Sequence, residues 1–368
     1  MLEFKLPSIG SDMDEGKLLE WKIKPGDRVK KGQVVAIVDT SKAAVDVEIW
    51  FDGTVHELLI EPGATIPVGT VLATLLAPGE KAGAPARPAP PAGRRKISPA
   101  ARKRAEALGI DVDTLAGSGP GGAVTLADVD AAAAQRSSSK PAATSDRQAE
   151  MRKAIAAAMS RSKREIPHYY LAEAIAMERA QAWLSEANAG RPITGRLLMA
   201  ALQLKAVALA LQKYPEMNGF FRDSAFQPVA AAHIGVAISM RQGGLIAPAI
   251  HDVGEKTLDE VMRDLADLVK RARAGSLKSS EMSDPTITVT NLGEQGVEAV
   301  YGVIYPPQVA LVGFGRITPR PWVDAAGGLT VAPVLTASLA ADHRVSDGHR
   351  GALFLAELRD WLQQPEKL

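Results

Sequence analysis

Residues Gly16 to Val38 read GKLLEWKIKPGDRVKKGQVVAIV, and residues Gly53 to Leu75 read GTVHELLIEPGATIPVGTVLATL. At an offset of 37 the pairs Gly16/Gly53, Glu20/Glu57, Ile23/Ile60, Pro25/Pro62, Gly26/Gly63, Gly32/Gly69, Val34/Val71 and Ala36/Ala73 are identical. Two copies of one small β unit predict a sheet module with internal two-fold symmetry, not a long repeat array. Between the copies runs Asp39-Thr40-Ser41-Lys42-Ala43-Ala44-Val45, which puts Lys42 at the turn joining the two halves. Such a turn suits a covalent arm, because its tip meets solvent while flanking strands fix its base.

Working outward, the chain of 368 residues has room for two or three domains. Its apolar share of 46% and charged share of 23% are those of ordinary globular proteins. A formal net charge of +1 gives no overall drive toward nucleic acid or an anionic membrane. There is no cysteine, so disulfides, thiolate zinc sites and a cysteine nucleophile are excluded, and no metal site is expected. Any sulfur chemistry must arrive on cofactors. The β module is entered almost at once from Met1, without a targeting segment, and a bacterial-type cytoplasm is the expected location. The most apolar stretch, Leu197 to Leu211, is interrupted by Gln203 and Lys205 and is too short to span a bilayer.

Composition divides the chain into three pieces. The β module occupies 1–76, and residues 77–95 open with APGEKAGAPARPAPPAG, a linker whose 17 Ala/Pro/Gly-rich residues reach about 50 Å when extended. A middle piece at 96–134 follows, then a second polar segment at 135–147 (QRSSSKPAATSDR) that also reads as linker. The third piece, 148–368, is the one large enough to carry catalysis.

In the middle piece Ser98 suits a helix cap and Pro99 the first helical position, with a helix predicted from Ala100 to Leu108. A glycine-rich loop at 117–122 follows, then Thr125 and Asp128 introduce a second short helix. The third piece shows helical spacing at Leu197–Leu211 and at Leu258, Val261, Met262, Leu265, Leu268 and Val269. Strand-like runs cover Ala232–Met240, Thr286–Thr290, Val309–Gly315 and Val331–Ala340. Long helices mixed with a sheet predict an α/β layered domain.

The duplicated module resembles the lipoyl domain of 2-oxo acid dehydrogenase complexes, a β barrel-sandwich, with Lys42 at the lysine that carries lipoate. Biotin carrier modules share that fold, but their lysine usually lies between methionines, and here Ser41 and Ala43 flank it. The middle piece resembles the small helical peripheral-subunit-binding domain of the same complexes. That resemblance implies that Arg102 and Lys103, with Arg94, Arg95, Lys96 and Arg104 nearby, grip an acidic surface of a partner enzyme. Ala123 stands where the family often has a further arginine. No aromatic residue interleaves these basic ones, so base stacking, and with it nucleic-acid binding, is not expected.

In the third piece Asp342-His343-Arg344-Val345-Ser346-Asp347-Gly348 follows a predicted strand and precedes a predicted helix. Alone, His-x-x-x-Asp also fits a structural histidine and a helix cap. Five other segments stand in family order: Ser162-Lys163 with Pro167-His168, Pro215 with Asn218, Gly244-Leu245-Ile246, Thr288 to Gly293, and Pro306-Pro307 to Gly315. Together they resemble the chloramphenicol-acetyltransferase-like α/β catalytic domain of dihydrolipoamide acyltransferases, and with the first two modules they cover nearly the whole chain.

That resemblance implies acyl transfer, most readily acetyl, from dihydrolipoamide to coenzyme A. A free thiol with a pKa of about 8.5 is mostly protonated at neutral pH, and imidazole, at about 6.5, suits its deprotonation. His343 is therefore expected as general base, Thr290 as the hydroxyl donor to the thioester oxygen, where the family more often has serine, and Asp347 as an orienting group. Asn218 is expected along the coenzyme A channel or, equally, as a turn residue. His168 reads as structural, and His251 replaces a usual arginine without an evident role. The resemblance further implies a homotrimer that shares its active sites between subunits, with possible growth to cubic or dodecahedral cores. Expected partners are a thiamine-dependent 2-oxo acid decarboxylase and a dihydrolipoyl dehydrogenase. Branched-chain and acetoin-complex acyltransferases share the architecture, and a non-catalytic docking scaffold or a biotin carrier are the other readings.

Overall fold

The computed structural model describes residues 1–7, 13, 15–40, 44–77, 99–108, 119, 123–240, 244–324 and 326–368, without the side chains of 103, 106–108, 131–148, 150 and 294. It divides into one unit of residues 1–80 and 151–368 and a second of 81–150.

The N-terminal module is built from β1 (Leu2–Lys5), β2 (Glu15–Trp21), β3 (Arg28–Val29), β4 (Val34–Asp39), β5 (Ala44–Glu48), β6 (Gly53–Leu58), β7 (Thr65–Pro67) and β8 (Val71–Leu76). One sheet runs β1-β8-β6-β3 and the other contains β5-β4-β2-β7. The sequence duplication is reproduced residue for residue in the pairing. Leu18↔Val38 and Trp21↔Ala36 in β2/β4 become Val55↔Leu75 and Leu58↔Ala73 in β6/β8, and both pairs shift register at the same point. Gly26 and Gly63 have φ of 95° and 100°, and Gly32 and Gly69 have 82° and 87°. Each pair thus repeats a left-handed turn that a β-carbon would strain. Phe4, Leu18, Val38, Val55, Leu72 and Leu75 fill the space between the sheets.

In the second unit α1 (Pro99–Leu108) precedes a short bridge between Gly119 and Ala123. The next helix, α2, opens on a reciprocal cap in which the Thr125 hydroxyl and the Asp128 carboxylate satisfy each other's backbone amides. Ala101, Ala105, Val124 and Val129 are buried here. α2 spans Leu126–Glu165, so residues 135–147, assigned to a linker on composition, have helical backbone. Four alanines at 131–134 lead into that stretch, and alanine is the strongest helix former. Ser98 and most of the glycine-rich loop lie outside the described residues.

The C-terminal region continues with β9 (His168–Ala176), α3 (Glu178–Ala189), α4 (Met199–Lys213), β10 (Gly219–Arg222), β11 (Ala225–Pro228), β12 (Ile234–Val236), β13 (Ile238–Ser239), β14 (Leu245–Ile246) and β15 (Ala249–Ile250). It ends with α5 (Leu258–Ala274), β16 (Leu277–Lys278), α6 (Ser279–Ser283), β17 (Ile287–Asn291), β18 (Ala310–Phe314), β19 (Thr318–Val323), β20 (Leu329–Asp342) and α7 (Gly348–Leu362). The main sheet has order β15-β12-β17-β18-β20-β19, with β9 also paired to β20. β12, β17 and β18 are parallel neighbours, whereas β20 runs antiparallel to β18 and β9. The apolar α4 is the central core helix, with Ala201, Leu202, Leu204, Val207, Ala208 and Leu211 buried. β20 is the longest strand and delivers the chain to the turn at His343.

Replacing Gly63 by alanine places a β-carbon at positive φ and should lower the stability of the N-terminal module by about 1–2 kcal/mol. Chemical denaturation of the module's transition should show this drop, and Gly69→Ala should behave alike.

Candidate active site

His343 sits just beyond the end of β20, between two residues that lock its backbone. Asp342 is fully buried, and its carboxylate accepts from Arg344 Nη2 at 2.6 Å, from Arg344 Nε at 2.9 Å and from the Arg344 backbone N–H at 3.0 Å. A charge taken this far out of water persists only when paired and hydrogen-bonded. The Arg344 guanidinium also lies 3.9 Å from the Phe221 ring centroid, which fixes its far side. Strand β9 supplies the other wall. His343 donates its backbone N–H to Pro167 O at 3.0 Å, and Val345 and Ser346 N–H return to Asp342 O at 3.0 and 3.1 Å.

The His343 side chain is exposed, and among the described residues neither ring nitrogen has a hydrogen-bond partner. The Tyr169 ring meets it edge-on with centroids 5.2 Å apart. Tyr169 is held in turn by a 2.8 Å bond between its hydroxyl and Ser346, and burial pushes its phenol pKa up. Gly351 makes room for this ring, since a β-carbon there would lie 2.9 Å from the Tyr169 hydroxyl.

Asp347 caps α7 by accepting from Arg350 N–H at 3.0 Å. That bond holds its carboxyl below the usual carboxylate range. Among the described residues its carboxylate makes no hydrogen bond to the imidazole, and its place is at the junction of the turn and α7.

Thr290 lies at the end of β17 with its hydroxyl unpaired among the described residues. Register places Thr290 level with Gly313 of β18, and Gly313 level with Ser338 of β20. His343 is five residues past Ser338 and two strands away. The two α-carbons are thus roughly 16 Å apart along the strands and about 10 Å across them. Within one chain they do not share a carbonyl group.

Asn218 is buried, and its amide donates to Val229 O at 2.6 Å and Ala231 O at 2.9 Å, while its side-chain oxygen has no partner among the described residues. His168 has both ring nitrogens committed. Nδ1 donates to Ile166 O at 2.9 Å and Nε2 accepts from Ile304 N–H at 3.1 Å, so the neutral ring latches the 304 segment to β9. His251 pairs with Asp284 at 3.0 Å, with the His233 ring 4.9 Å away. Arg102 is exposed on α1, and Arg104 is spent on Asp130 at 2.9 Å. The side chain of Lys103 lies outside the described residues. So does Lys42, but Asp39 pairs with Ala44, so residues 40–43 are the connection between β4 and β5.

Beside the turn opens a cleft of about 500 Å³ with Arg344, Arg222, Arg161, Phe221 and Pro307 in its wall. Tyr169, Ser346 and the Asp342–Arg344 clamp were not singled out from sequence. The two charged residues immediately flanking His343 were the available signal for the clamp.

A family model described as 2-oxoacid dehydrogenases acyltransferase (catalytic domain) matches residues 141–368. The chain belongs to that family. Models for a biotin-requiring enzyme and an e3 binding domain match residues 2–75 and 95–130. This acyltransferase is 31% identical to the dihydrolipoyllysine-residue acetyltransferase component of the pyruvate dehydrogenase complex of Staphylococcus aureus, over 100% of this chain and 98% of the relative. It is 30% identical to the acetyltransferase component of the acetoin cleaving system of Bacillus subtilis, over 99% and 98%. Among solved structures, the dihydrolipoamide acetyltransferase of Azotobacter vinelandii superposes with a TM-score of 0.55 at 28% identity, covering 58% of this chain and 89% of that one. That structure was determined in work on the catalytic role of a serine, a histidine and an asparagine, the last two four positions apart. A cubic core of the pyruvate dehydrogenase multienzyme complex matches with a TM-score of 0.55 at 27% identity, covering 59% and 90%. The acyltransferase is thus an enzyme of a 2-oxo acid dehydrogenase complex, with a lipoyl-bearing N-terminal module, a subunit-binding module and coenzyme A as acyl acceptor.

Burial lowers the His168 pKa below its ordinary 6.5, and protonation would also remove the acceptor for Ile304 N–H. The unfolded chain then binds more protons than the folded one, so stability held above pH 6.5 falls as pH drops through the lowered value. Thermal melts from pH 7.5 to 5 should show this loss. In His168→Gln, which retains an acceptor without a titrating ring, the loss should be smaller.

Proposed function

We propose that the chain transfers an acetyl group from a dihydrolipoyl thioester to coenzyme A, with His343 as general base. The observation that carries this reading is an unpartnered imidazole on a turn clamped from both sides, beside a cleft whose wall holds Arg161, Arg222 and Arg344 together with Glu165 and Asp223. When bound, the lipoyl group supplies the activated acyl thioester. His343 removes the proton from the coenzyme A thiol as that sulfur attacks the carbonyl carbon, and it returns the proton to the departing sulfur. The Thr290 hydroxyl donates to the oxygen on which negative charge develops. Arg344 and its neighbours attract the phosphates of coenzyme A, and the free Asn218 oxygen is the atom of that side chain left to a ligand.

The acetyl assignment rests on the relatives named above, which act in pyruvate and acetoin complexes. Pocket differences of one methyl group change selectivity by only about 1–3 kcal/mol, so branched acyl groups are the competing substrates to assay. We assign lipoylation to Lys42, the midpoint of the duplication. Docking of the decarboxylase or dihydrolipoyl dehydrogenase is assigned to Arg102 and Lys103, and the expected location is the cytoplasm.

The distance between Thr290 and His343 supports an assembly in which each site takes its imidazole from one copy and its hydroxyl from another. A closed trimer provides such a pairing at every interface.

His343→Ala should lower kcat for acetyl-dihydrolipoamide and coenzyme A by about 100- to 10,000-fold with assembly intact. Thr290→Val should lower it by about 100- to 1,000-fold, and Thr290→Ser should retain most of it. Mixed assemblies of His343→Ala and Thr290→Val chains should recover about a quarter of the sites, because one interface in four pairs two intact groups. Failure of complementation would place both groups in one chain. Separately, intact mass of chain expressed with lipoate should show one lipoyl adduct that Lys42→Arg abolishes.

A further inference from the structure

The exposed edge of β5, the strand that follows the Lys42 connection, pairs with a two-residue strand of the catalytic region. Val45 lies opposite Leu277 and Asp46 opposite Lys278, in parallel register. Polar contacts continue past the strands. Glu48 donates its backbone N–H to Ser279 Oγ at 3.2 Å, and its carboxylate accepts from Ser280 Oγ at 2.5 Å and faces Lys278 Nζ at 3.4 Å. The Glu48 side chain is only 13% exposed in this arrangement. Met282 packs against the cores of both regions.

The receiving strip is built without help from the N-terminal module. Glu281 accepts from Lys278 N–H at 2.8 Å and is gripped by both Nη atoms of Arg271, at 2.6 and 2.5 Å. Arg271 belongs to α5, whose Leu265 and Leu268 lie in the catalytic core, so the strip is anchored to the core. An edge strand meeting a fixed two-residue strip is the geometry of strand addition, in which main-chain bonds supply affinity and side chains supply selectivity.

We propose that residues 277–282 form a docking strip for the chain's own lipoyl-type module, with Glu48 as the residue that the strip reads. The docked state holds the module by the strand adjoining its modification loop, and it withholds that strand edge from any other partner. The proposal does not depend on the role of His343 or on modification of Lys42.

The chain has no cysteine, so an engineered pair is reported cleanly. Neighbouring strands lie about 4.8 Å apart, within the span of roughly 4.4–6.8 Å that a disulfide bridges. Full-length chain carrying Asp46→Cys, Lys278→Cys and Lys42→Arg, the last to keep lipoyl sulfur out of the exchange, is oxidised mildly and mapped by mass spectrometry. An intrachain link should form at least about tenfold faster than in a control with Asp46→Cys and Lys367→Cys, where only tethered encounter operates. Adding Ser280→Ala on the strip, or Glu48→Ala on the module, should slow the link several-fold, and the first of these leaves the module's own fold untouched. A rate equal to the control, a rate indifferent to both substitutions, or a link formed mainly between two chains would overturn the proposal.

Discussion

A carboxylate sealed from solvent decides where the reactive imidazole stands. Asp342 has no access to water and must be neutralised locally, and Arg344, two residues on, does this with three donors making four hydrogen bonds. Closing that gap bends the chain through His343, which is forced outward. Removing one member of such a pair leaves a buried charge and typically costs about 3–5 kcal/mol. The strand behind it, β20, is paired on both sides over this stretch, so the bend has a rigid base.

The same sheet that presents His343 keeps Thr290 away from it. Two strand spacings and a shift of five residues separate them. In the assembly proposed above, the general base and the charge-stabilising hydroxyl meet by association and not by folding of one chain, so stability of the fold and competence of the site are separable properties.

How much of this was legible in the sequence varied with the range of the interactions. The 37-residue duplication announced the β module down to its register, because both halves obey the same local turn chemistry at Gly26/Gly63 and Gly32/Gly69. The strand runs ending near Thr290, Gly315 and Ala340 were visible because buried strands need continuous apolar residues. Residues 135–147 misled, since serine, proline and lysine suggest a linker while the flanking alanines carry helical backbone across them. Tyr169 and Ser346 were silent because their contact spans 177 positions. The strip at 277–282 is two residues of strand and one short helix, below the length at which periodicity carries information.

The duplication also relates the two points at which the chain leaves the halves of the module. Shifted by 37, the chain leaving β4 at Thr40 coincides with the chain leaving β8 at Ala77. Thr40 and Ala77 are therefore images of one another across the pseudo-dyad, and the two halves release the chain with one and the same geometry.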